Sequence, residues 1–284
     1  MNLPPIADVV EKLRDAVAPT FTVSALLLGP FLVARRGQLA PLGAALAMAA
    51  ALAVGNYFSP AVPWEPESYG RGWVLAAAGI ALAVGLVARV PQIPAVIGWL
   101  LRAAAAGAAA WLCTSADLRA AQPWAIYACG AAILANWAVL ELLATNAPGG
   151  AVPLAALAAC FSAAGVLIQA SFASMTDISI FATGALLAIG LTAWLRPADV
   201  GGALPAVAVL LPVLLLAGRF DTATEVPDTC FVLVSLAPTA LGPLLIPPFK
   251  RWTRLRRGVM GSILIAIPLA IAAVRALQAP VPEF

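Results

Sequence analysis

The chain has 284 residues, 63% of them hydrophobic and only 10% charged, with a net charge of +3. A soluble domain carries roughly 25% charged residues, so a water-solvated fold of this length would leave much of its apolar surface uncovered. The sequence has no histidine, which excludes bis-histidine haem, the usual zinc sites, HExxH metalloproteases and Ser/His catalysis in this chain alone.

Lipid removes the difficulty of so much apolar surface, because a helix of about 20 residues crosses the hydrocarbon while satisfying its own backbone. A β-barrel requires strict apolar and polar alternation, and runs such as LAAAGIALAVGLVA (75–88) do not alternate. The expected fold is therefore all-α, a polytopic transmembrane helix bundle.

In chain order, residues 4–17 place Ile6, Val9, Val10, Leu13 and Val17 on one helical face and Asp8, Glu11, Lys12 and Asp15 around the rest. This pattern predicts a short amphipathic helix on the membrane surface over 1–16, followed by a single transmembrane domain over 17–284. Apolar runs then predict spans at 17–34, 39–57, 73–89, 93–113, 123–144, 151–171, 177–195, 201–218, 229–248 and 258–277. The second is short and the eighth contains Pro205 and Pro212, so the count is about ten, with eight or nine as the alternatives.

Loop charge supplies a separate test, since Lys and Arg collect on the cytoplasmic side of a membrane. With ten spans, one side receives Arg35, Arg36, Arg89, Arg196, Lys250, Arg251, Arg254, Arg256 and Arg257 against Asp199 alone, nine positive to one negative. The other side receives six positive and eleven negative residues. Both termini then lie outside. Arg35, Arg36, Lys250, Arg251, Arg254, Arg256 and Arg257 are read as topology anchors or contacts for anionic lipid headgroups.

The fourth span, rich in Ala and Gly, is expected near the bundle centre because small residues let backbones approach. Gly79 with Gly85, Gly184 with Gly190 and Gly258 with Gly261 mark other candidate close crossings, and prolines in the last three spans predict bent or broken helices. Cys113, Cys129, Cys160 and Cys230 have no metal-ligand spacing and read as small core residues.

Two ionisable residues fall inside spans, Arg102 in the fourth and Glu141 in the fifth. Each is costly in hydrocarbon, about 2.5–3.5 kcal/mol on insertion scales, and so should face the bundle interior and find a partner. The rise of 1.5 Å per residue puts Glu141 roughly 7 Å nearer the cytoplasm than Arg102, a gap that an arginine side chain largely spans. An Arg102–Glu141 ion pair is the expectation. Asn136 points about 140° away from Glu141 around the helix and should meet a third helix.

The functional reading makes Arg102, Asn136 and Glu141 part of a substrate or ion pathway in a small secondary-transporter-like carrier. The alternative is a non-catalytic structural or assembly subunit of a larger membrane complex, with the pair as a clip. Neither reading calls for catalytic residues, a metal or a cofactor. The expected partners are membrane lipids, other membrane subunits or a second copy, and not nucleic acid. Abundant Ala, Pro, Gly and Arg suggests a GC-rich bacterial genome and hence the cytoplasmic membrane.

Overall fold

The computed structural model describes residues 6–33, 39–58, 71–146, 149–170, 172–220, 225–250 and 254–279. Among these, 88% of the residues are helical and there is no strand. The helices are α1 (Ile6–Val33), α2 (Ala40–Phe58), α3 (Arg71–Val87), α4 (Ala95–Leu112), α5 (Ala116–Ala121), α6 (Pro123–Asn146), α7 (Ala151–Gln169), α8 (Ala173–Leu195), α9 (Leu204–Phe220), α10 (Asp228–Ser235), α11 (Pro247–Lys250) and α12 (Arg254–Gln278). Two 3₁₀ stretches, Gly201–Ala203 and Ala237–Leu245, lead into α9 and follow α10.

Eight of these helical segments are long and apolar enough to cross a membrane, and a ninth is reached if α10 and its 3₁₀ continuation, bent by 41°, count as one broken span. α3 is apolar but shorter. These ten pieces fall on the ten runs read from the sequence, and the architecture fits an integral, multi-pass membrane protein. α1 continues through residue 16 without a break, so the amphipathic segment and the first span belong to one continuous helix. Arg35, Arg36 and Arg251, most of the acidic stretch 58–71, and the side chains of residues 6–13, Lys250, Arg254 and Arg257 lie outside the described residues.

The helices pack in groups around α9. α1, α2, α7 and α8 form one side, α3, α4 and α6 another, and α10, the 3₁₀ stretch and α12 close the rest. The centre is not the Ala-rich α4, contrary to the expectation above, but α9, with buried side chains from Leu204 through Leu215. Alanine permits close approach but fills little volume, whereas the Val and Leu side chains of α9 fill the space between three helix groups. Its prolines do not oppose this. Pro205 and Pro41 occupy the second positions of α9 and α2, where a missing N–H removes no intrahelical bond, and only Pro212 lies inside the helix.

Several predicted glycines sit at crossings. A Cβ on Gly184 would overlap Thr20 of α1, one on Gly190 would meet Leu154 of α7 at 2.7 Å, and one on Gly85 would overlap Pro205. Gly79 and Gly258 have nothing within 4 Å and mark no crossing, because they face away from neighbouring helices. Interhelical polar contacts add to the packing: Ser24 donates to the Ala47 carbonyl at 3.2 Å and Ser179 to that of Cys160 at 2.7 Å. All four cysteines are free and buried.

Aromatic side chains mark the two ends of the bundle. Trp111 at the end of α4, Trp124 and Tyr127 at the start of α6 and Tyr57 at the end of α2 are all exposed, and Trp124 packs edge-on to Phe220 at the end of α9. Trp99 early in α4 and Trp194 late in α8 are exposed at the opposite end. Such belts occupy the two interfaces of a bilayer, where an amphipathic ring meets both water and lipid.

Candidate functional site

Four charged side chains converge where α3 ends, α4 begins, α6 ends and the α8–α9 connection turns. Arg102 Nη2 lies 2.6 Å from Glu141 Oε1, so the expected pair forms across α4 and α6. Arg89, two residues beyond α3, approaches the same Glu141 oxygen with its Nε at 3.5 Å. Its Nη1 donates to Asp199 Oδ2 at 2.9 Å. The cluster thus holds two guanidiniums and two carboxylates and is neutral overall, which spares it an uncompensated charge at low dielectric.

Local sequence sets each position. A tight turn over 88–93 joins α3 to α4, which brings Arg89 and Arg102 to the same side of α6. Gly98, one turn before Arg102, leaves room for its guanidinium, since a Cβ there would stand 3.1 Å from Nη1. That guanidinium also stacks 4.9 Å from the ring centre of Trp99, a contact that fixes its plane. Asp199 accepts the Gly201 N–H at 2.8 Å through Oδ1, which orients its other oxygen toward Arg89. A side chain at Gly201 would collide with Arg89 Nη2, so glycine is required beside the cluster.

The cluster is incompletely satisfied. Arg89 Nη2, Arg102 Nε and Glu141 Oε2 are buried without a hydrogen-bond partner. Two more unmet atoms, Asn136 Oδ1 and Trp137 Nε1, lie one turn deeper on α6.

Asn136 is not joined to this cluster. Its Nδ2 donates at 2.8 Å to the carbonyl of Ser235, the last residue of α10. In an unbroken helix that carbonyl would receive the N–H of Thr239, but Thr239 donates to Leu236 instead at 2.9 Å. Pro238 offers no N–H at all. Asn136 therefore supplies the donor that the break removes.

Arg89 and Asp199 fall in connections in the sequence, and their part in the site emerges only from the packed helices. A signal was present: Asp199 is the one acidic residue sorted to the basic side, which is also the side nearer Glu141.

A groove of about 690 Å³ runs between α4 and α6, lined by Val96, Trp99, Leu100, Ala103, Leu134 and Ala138 among others. Its lining is apolar, and neither Arg102 nor Asn136 takes part. Among the described residues, no group of three or more Cys, Asp or Glu is placed to hold a metal ion. The chain matches no family model and none of the curated proteins.

Proposed function

We propose that the chain is a small solute carrier of ten crossings, with both termini outside the cytoplasmic membrane of a bacterium. The Arg89–Asp199 and Arg102–Glu141 pairs close its cytoplasmic end. The ten apolar helical pieces and the nine-to-one sorting of basic residues support the topology. The observation that carries the function is the incomplete satisfaction of the cluster. A buried ion pair is a weak source of stability even when every lone pair is met, and ionisable groups at membrane depth mark pathways and relays. A network joining two helices to two connections, with donors and an acceptor to spare, suits a gate that opens and recloses.

The test is proton flux into liposomes containing the purified protein and an internal pH dye. Wild type should dissipate an imposed pH gradient, and Glu141→Gln and Arg102→Ala should slow the flux tenfold or more. Wild-type rates equal to those of empty liposomes, with and without added solutes, would remove the carrier reading.

One observation favours the second reading, a non-catalytic subunit: the central helix α9 is apolar and almost wholly enclosed. Mass measurement after purification in mild detergent distinguishes the two. A stoichiometric larger complex supports the subunit, whereas an isolated monomer or homodimer supports the carrier.

A further inference from the structure

The carboxylate of Glu141 lies between two guanidiniums, and that geometry describes a ligand. Arg102 uses only Nη2 on Glu141 while its Nε stays buried and unmet, and Arg89 leaves Nη2 unmet. A guanidinium presents its N–H groups as a planar fork that matches a carboxylate in two-point contact. Glu141 satisfies that fork at one point. Arg102 is 6% exposed, so its spare donor is not taken up by bulk solvent.

Charge then fixes the stoichiometry. The charged groups around Glu141 are Arg89 from the connection after α3 and Arg102 from α4, with Asp199 from the connection before α9 bound to Arg89. The other elements packed on α6 bring no charge to this end, since α7, Gly201–Ala203 and Ala237–Leu245 carry no charged residue, Arg219 lies at the far end of α9, and Asp117 and Arg119 lie on α5, beside the opposite end of α6. At rest the four charges sum to zero. Adding a monovalent anion would leave one uncompensated negative charge at low dielectric, which is strongly disfavoured. Protonating Glu141 at the same time restores neutrality and releases the guanidinium fork.

We infer that Glu141 is a built-in surrogate for the substrate, and that the site between Arg102 and Arg89 binds one monovalent carboxylate together with one proton taken up by Glu141. The proton converts the Glu141 carboxylate to the neutral acid, and the entering carboxylate takes its hydrogen bonds from Arg102 Nε and Nη2. Dianions are refused by the same charge balance. This inference rests on the carrier reading, whose pathway would bring the anion to the site.

The experiment uses sodium formate as the probe, titrated calorimetrically into the full chain in mild detergent, with sodium sulfate holding ionic strength. Wild type should bind formate about tenfold more tightly at about pH 6 than at about pH 7, as uptake of one proton per anion requires. Parallel titrations in two buffers of different ionisation enthalpy should return that single proton. Glu141→Gln should bind formate equally at both pH values, and Arg102→Gln should not bind it. The inference is overturned by a failure of wild type to bind formate, by binding without proton uptake, or by a pH dependence that survives in Glu141→Gln. If Glu141→Gln does not fold, the wild-type proton count decides alone. Formate binding with proton uptake but no flux in liposomes would leave this site and refute the carrier; flux without formate binding would do the reverse.

Discussion

Asn136 and Ser235 are 99 residues apart in sequence, yet the Asn136 amide donates at 2.8 Å to the Ser235 carbonyl where the α10 span breaks. The contact ties α6 to the bent span and replaces the backbone bond lost when the Thr239 N–H donates to Leu236 instead. Asn136→Leu keeps the branched shape and the number of heavy atoms but leaves a buried carbonyl unpaired, a loss of about 1–3 kcal/mol. The thermal midpoint in detergent should fall accordingly, and an unchanged midpoint would mean that the carbonyl finds another donor.

The Arg102–Glu141 pair should display the asymmetry of buried charge. Arg102→Leu or Glu141→Leu alone leaves the cluster with one uncompensated charge, with an expected loss of about 3–5 kcal/mol, whereas the double variant restores most of it because the remaining Arg89–Asp199 pair is neutral. Denaturation of the four proteins forms a double-mutant cycle. Additive losses would show that the two side chains act independently.

Backbone approach supplies a third prediction. A Cβ on Gly202 would overlap the carbonyl oxygen of Pro41 at the start of α2, while one on Gly107 has nothing within 4 Å. Gly202→Ala should therefore destabilise by about 1–3 kcal/mol, as overpacking does. Gly107→Ala should not destabilise. Equal midpoints for the two variants would contradict the close contact.

Topology can be tested at the termini. Reporters active only outside the cytoplasm should work when fused to either end, and cytoplasmic reporters should fail at both. Opposite behaviour at one end would require an odd number of crossings.

Much of this was legible in the sequence because membrane helices announce themselves by composition. The ten apolar runs coincide with helical pieces, and the depth arithmetic on Arg102 and Glu141 anticipated their contact. The direction of Asn136 away from Glu141 likewise anticipated a third-helix partner. What the sequence hid was lateral arrangement. Hydropathy says that α4 and α9 both prefer lipid or a core to water, but not which lies inside; that depends on how side-chain volumes fill the space among neighbours. Arg89 and Asp199 were hidden for a related reason, since two connections distant in sequence meet only once the helices between them have packed.

The enclosure of α9 has a consequence for how the chain is made. Of its neighbours, α3, α4, α6, α7 and α8 precede it and α10 follows, so those five enter the membrane before the helix that fills the gap between them. Until residues 204–220 emerge from the ribosome, the earlier helices surround an unfilled axis and must hold lipid or one another there. A product ending after α8 would keep seven of the ten apolar pieces and still lack the one that makes them a single body, which marks such truncations as targets for membrane quality control.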